Sequence, residues 1–207
     1  MSRERTSYDQ AYKLLVRALK KVDLWREYEE VLCDTFGAMC GLARRIQVVK
    51  KGENTCDIAG CKFAVGVLAS YSGCAHALSQ QLTNDMDHNW SIISQQLSSM
   101  NALVVNELQK IENEAIKLFP TIPLGALAVR GSGVSLTVSE CVLWICKINK
   151  MITAEYLRKR DLFTQYTTNE LEDLLSASLI WPAISSEGFV NEKELKAISE
   201  RFALLNR

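Results

Sequence analysis

The stretch SYDQAYKLLVRALKKVDLWREYEEVLCDTFGAMCGLARRIQVVKKG, residues 7–52, decides the fold class. Its apolar residues fall at Tyr8, Tyr12, Leu15, Leu19, Val22, Trp25, Tyr28, Leu32, Phe36, Met39, Ala43 and Ile46. Nearly every step is three or four residues, the repeat that lines one face of an α-helix. Ser7 and Gln10 fit a capping box at its start. Lys50, Lys51 and Gly52 supply basic residues and a glycine stop at its end. A helix of roughly 40 residues would be about 60 Å long. That length points to a coiled-coil-like rod, with a possible break only at Phe36-Gly37.

Outward from this rod the chain continues in helical pattern. Ile58, Phe63, Val67, Tyr71, Ala75, Leu78 and Leu82 predict a second helix over about 57–82, rich in small residues that include Gly73. Lys62 and His76 argue against reading it as a membrane span. A third helix follows from Trp90 through Ile93, Leu97, Met100, Val104, Leu108, Ile111 and Ala115 to Leu118, stopped by Pro120 and Pro123. A loop with Gly125, Gly131 and Gly133 leads to Thr137 and Glu140, a second capping box. The fourth helix then runs to about Tyr166. Short helices after Thr167 and after Asn191 complete the chain. The expectation is an all-α, long-helix bundle over residues 1–166, with a short C-terminal helical hairpin over 167–207.

Composition bounds the function. Of 207 residues, 48% are hydrophobic and 23% charged, enough apolar content for a core. Lys plus Arg equals Asp plus Glu at 24 each, so the chain lacks the basic excess of a dedicated nucleic-acid binder, and no nucleic acid is expected. Residues 1–6 hold no apolar stretch, so no secretory signal is expected. Seven cysteines without a CxxC spacing fit reduced, buried thiols in the cytoplasm.

No acid, base and nucleophile cluster stands out, and an enzyme is not expected. His76 and His88 lie beside no plausible nucleophile. Cys56, Cys61, Cys74 and His76 have no standard zinc spacing, so neither metal nor cofactor is expected. Arg130-Gly131-Ser132-Gly133 lacks the Lys-Ser/Thr pair of a phosphate loop. Gly188, Val190 and Glu194 match the second half of a calcium-binding loop. The first ligand position would be Ala183, with no side-chain oxygen, and the third Ser185, so this is at most a degenerate EF-hand.

Two sets of residues remain as candidates. The basic clusters Arg44, Arg45, Lys50 and Lys51, and Arg158, Lys159 and Arg160, suit contact with anionic lipid phosphates, and Lys20-Lys21 lies in the middle of the first helix as a further basic pair. The stripe Leu15, Leu19, Val22, Trp25, Tyr28 and Leu32, with Ile93, Leu97, Met100 and Val104, suits a core or a dimer seam.

Tyr156-Leu157-Arg158-Lys159-Arg160-Asp161, followed by Gln165-Tyr166, resembles the BAR-domain region of sorting nexins. The segment Tyr28 to Ala43, with Phe36-Gly37 and Leu42-Ala43, is similar to its first arm. The resemblance implies an antiparallel homodimer with a basic face on anionic membranes, acting in endosomal trafficking and peripheral to the membrane. The other reading of the same residues is a cytosolic protein–protein adaptor, or a subunit of a larger helical assembly partnered by another helical protein.

Overall fold

The computed structural model describes residues 2–55, 73–118, 136–167, 181 and 190–204. Every regular element among them is helical, as the sequence predicts. Helix α1 spans Ser2–Thr55, α2 spans Cys74–Ala102, a π-helical segment covers Leu103–Leu108, α3 spans Gln109–Ile116, α4 spans Val138–Thr167 and α5 spans Glu192–Leu204.

Helix α1 is longer than its caps suggest. It begins before Ser7, runs through Gly52, and covers 54 residues, about 80 Å at the α-helical rise. No break occurs at Phe36-Gly37. Phe36 is buried and anchors the helix there, while nothing lies within 4 Å of the place where a Cβ on Gly37 would stand.

The expected division between a second and a third helix is absent where it is visible. Leu82 and Trp90 sit on one continuous helix, α2. That helix starts instead after Gly73, which takes φ +86, a conformation that favours glycine. The Gly73 carbonyl accepts from the Ala77 amide at 2.9 Å and closes the first turn. Gly73 is therefore a turn residue and not one of a helix's small packing residues. The rest of the expected segment, 57–72, lies outside the described residues, as do the expected loop 121–135 with its Arg130–Gly133, residues 168–180, and Ala183, Ser185 and Gly188.

The start of α4 follows the sequence closely. The Thr137 hydroxyl accepts from the Glu140 amide at 3.1 Å, and the Glu140 carboxylate accepts from the Thr137 amide at 2.8 Å. This reciprocal box satisfies two donors the first helical turn would leave open. At α5 the Asn191 side-chain oxygen accepts from the Glu194 amide at 3.2 Å.

The chain forms two compact units. The first comprises Met1–Glu29, Ser98–Lys159 and Ala183–Arg207; the second comprises Glu30–Leu97 and Arg160–Pro182. In the first, Ala11, Leu14, Leu15, Ala18, Val22 and Trp25 of α1 are buried. So are Met100, Leu103, Val104, Leu108, Ile111 and Ala115 of the α2–α3 run, and Val138, Cys141, Val142, Ile145, Ile148, Ile152 and Tyr156 of α4. Leu195 and Ile198 of α5 complete this core. In the second, Leu32, Phe36, Met39, Ala43, Ile46 and Val49 continue the α1 stripe. Ile46, Val49 and Leu82 form a cluster flanked by Leu42, Leu78 and Met86. Phe36 stacks on the buried Trp181 with ring centroids 4.2 Å apart.

Ion pairs fix helix directions in the first unit. Arg17 meets Glu114 at 2.9 Å and Lys21 meets Glu107, so α1 runs antiparallel to α3. Tyr12 stacks on Phe202 and Arg26 meets Glu192 at 2.9 Å, so α5 also runs antiparallel to α1. Lys147 meets Glu194 at 2.6 Å and Arg201 meets Glu140 at 3.0 Å, which sets α5 antiparallel to α4. Helix α4 is then parallel to α1 and antiparallel to α3. These pairs are partly exposed and each contributes no more than about 1 kcal/mol; their role is register.

Candidate functional site

The residues expected to meet lipid do not share one exposed face. Arg44, Arg45 and Lys50 are exposed on α1 of the second unit, and the Lys51 side chain lies outside the described residues. Arg160, also of the second unit, is exposed and pairs with its neighbour Asp161 at 3.0 Å. Arg158 is half-buried and grips Glu155 through Nε at 3.0 Å and Nη2 at 2.5 Å. Lys159 is fully buried. The run Arg158-Lys159-Arg160 is therefore not a basic patch. Three successive helical residues point about 100° apart, so one of them faces the core whenever the helix is packed.

Lys159 is the centre of a buried charge network in the first unit. Its ammonium donates to the Glu29 carboxylate of α1 and lies 3.9 Å from Glu155 one turn earlier on α4. Glu155 is itself buried. Removal from water disfavours the ammonium and pulls its pKa down to about 7, even with Glu29 in contact. A buried cation of this kind is either a structural tie or a proton-exchanging group. The geometry here is that of a tie: Glu155, itself held by Arg158, lies beside the ammonium on its own helix, and Glu29 meets it from α1.

A second polar cluster lies between α3 and α4. The Asn149 amide donates to Glu112 at 2.5 Å, and the Cys146 thiol donates to the same carboxylate. Gln109 reaches Glu112 from its own helix at 3.3 Å. Burial and the Glu112 charge push the Cys146 thiol up to about 11. Burial, with the neighbouring Glu140, pushes Cys141 up to about 12, and burial raises Cys40. Thiols held protonated in this way are poor nucleophiles.

The remaining candidates fall into place as packing. Leu15, Val22, Trp25, Leu32, Ile93, Leu97, Met100 and Val104 are buried within this one chain, and Leu19 and Tyr28 are half-buried. His76 and His88 are exposed. No group of three His, Cys, Asp or Glu among the described residues is arranged to hold a metal ion. Cys56 and Cys61 lie outside those residues. Glu194, the would-be bidentate calcium ligand, instead pairs with Lys147. No helix among the described residues is long and apolar enough to cross a membrane.

Sequence reasoning missed two features of the packing. Glu155 stands four residues before Lys159, a spacing legible as an ion pair, but Glu29 is 130 residues away and carries no local signal. The π segment Leu103–Leu108 was also hidden. It lets the adjacent Leu103 and Val104 both face inward while Val105 is turned out.

Residues 6–196 match the family model described as CA109-like, ribosome biogenesis protein C1orf109-like. No curated protein matches the chain. The match overturns the resemblance to the sorting-nexin BAR domain, which rested on short basic and aromatic motifs that any packed amphipathic helix can carry. With it fall the reading as a membrane scaffold in endosomal trafficking and the cytoplasmic, membrane-peripheral location.

Proposed function

This chain belongs to the C1orf109-like family of ribosome biogenesis proteins, and from that premise we propose that it is a non-enzymatic, protein-binding subunit of an assembly that matures ribosomal particles. The observation that carries the reading is the extent of the family match, which runs from α1 through α2, α3 and α4 to the first turn of α5. Its partner is another protein of that assembly, and its place of action is where ribosomal precursors are built.

The chemistry of the described residues supports a binding role. Arg17, Arg26, Lys147 and their carboxylate partners are engaged in helix register, and the thiols at Cys141 and Cys146 are held protonated. What the surface offers instead is apolar side chains on helical faces, the usual currency of protein recognition.

Sedimentation of the tagged chain through a density gradient tests this. The expected result is migration with preribosomal particles, and accumulation of precursor ribosomal RNA when the chain is depleted. Migration only as the free 23.2 kDa protein, with normal precursor levels on depletion, would overturn it.

A further inference from the structure

Among the described residues, the large hydrophobic side chains left exposed are Val31, Val48, Val105, Ile116, Leu143 and Leu157. The last four belong to the first unit, at 56%, 47%, 55% and 38% exposure. They are not scattered. Val105, Gln109, Glu112 and Ile116 follow one another at four, three and four residues and share one stripe of the π–α3 run. Leu143, Cys146, Lys150, Thr153 and Leu157 follow at three, four, three and four and share one stripe of α4. The two stripes meet at Glu112, which accepts from Cys146 and Asn149.

Because α3 and α4 are antiparallel, this junction aligns the ends. Ile116 lies on the same side of it as Leu143. Val105 lies on the same side as Leu157, the first roughly 10 Å from the junction along its own helix and the second about 12–16 Å from it along α4. The result is a two-helix face with an aliphatic side chain at each corner and a satisfied polar centre. Helix α5 does not cover it, since its contacts on α4 are with Glu140, Trp144 and Lys147, on a different side of that helix.

The charge on this face selects its occupant. Lys150 is exposed in the middle of the α4 stripe and makes no ion pair among the described residues. The one carboxylate present, Glu112, is already held by Asn149, Cys146 and Gln109. A second copy docked by a two-fold would bring this lysine near its own equivalent with no free acid to meet it, so the face is not self-complementary. An RNA strand would seek several cations and aromatic platforms, whereas the corners are aliphatic and the cation is single. We propose that the outer face of the π–α3 run and α4 docks an amphipathic helix of another protein. Its apolar residues, spaced three and four apart, seat among Val105, Ile116, Leu143 and Leu157, and an Asp or Glu meets Lys150. This deepens, and rests on, the reading of the chain as an assembly subunit.

The test places the photocrosslinker benzoylphenylalanine at Leu143, and separately at Leu157, in the full chain expressed in cells, with Lys196 on α5 as the exposed control. Crosslinked peptides are sequenced. The expected product at both positions, absent at Lys196, is a peptide of another protein with apolar residues at helical spacing and an acidic residue among them. Crosslinks to the chain's own peptides from a second copy, to RNA, to the same peptides as the control, or to nothing overturn the proposal. In a second arm, Lys150→Glu lowers the yield at Leu157 by about tenfold and Lys150→Arg leaves it unchanged; both positions are exposed, and circular dichroism checks the fold. An unchanged yield with Lys150→Glu overturns the proposed acidic contact. If the crosslinks form but the wild-type chain does not sediment with preribosomal particles, the assembly reading fails and the docking face stands. If the chain sediments with the particles and no specific crosslink forms, the face fails and the assembly reading stands.

Discussion

Lys159 of α4 donates to Glu29 of α1 from a fully buried position, joining two helices whose paired residues are 130 apart in sequence. Breaking one side of such a pair leaves a buried charge without its counter-ion. Lys159→Ala is expected to cost about 3–5 kcal/mol. Replacing both partners by apolar residues of similar volume, Lys159→Met with Glu29→Met, recovers most of that loss. Urea denaturation of the two variants beside the wild type checks the contrast.

The same lysine gives a pH dependence. Its pKa in the folded protein is about 7, below its value of 10.5 when unfolded. Between those values the unfolded chain binds the extra proton, so stability rises with pH from about 7 towards 10.5 and the contribution is flat below 7. Denaturation midpoints at pH 7, 8 and 9 are expected to climb in the wild type. The doubly apolar variant is expected to lose that climb.

Gly37 sits within α1, exposed, with nothing within 4 Å of the position a Cβ would take. It has no role that requires glycine there. Gly37→Ala is expected to stabilise the protein by about 0.5–1 kcal/mol through helix propensity and reduced unfolded-state entropy. A raised melting temperature checks it. A lowered one would show that the helix needs to bend at that point.

Thr137 closes the capping box with Glu140. Thr137→Ala is expected to lose about 1 kcal/mol, and Thr137→Ser to lose little, because serine keeps the accepting hydroxyl. Thermal unfolding followed by circular dichroism separates the two.

Phe36 stacks on Trp181 in the core of the second unit. Phe36→Ala is expected to cost about 3–5 kcal/mol, and Phe36→Leu distinctly less. Urea denaturation of the two variants beside the wild type checks the order.

The sequence by itself determined the helices. Apolar steps of three and four residues across α1, α2 and α4 are local facts, because a helix satisfies its backbone within its own segment. For the same reason Thr137-Glu140 and Asn191-Glu194 marked where α4 and α5 start. Other local signals misled: Gly37 and Gly52 read as a break and a stop, yet the core contacts of Phe36, Ile46 and Val49 carry α1 through. Short basic motifs misled further, since Arg158-Lys159-Arg160 looked like one surface cluster and became two ion pairs and a buried tie. Tertiary packing alone decided which charge went inside, because the cost of burying Lys159 is partly offset by Glu29, a residue no spacing rule connects to it. Packing alone also set Val105 and Ile116 level with Leu157 and Leu143. That alignment depends on the antiparallel register of α3 and α4, and register between helices distant in sequence is written in their contacts rather than in either sequence pattern.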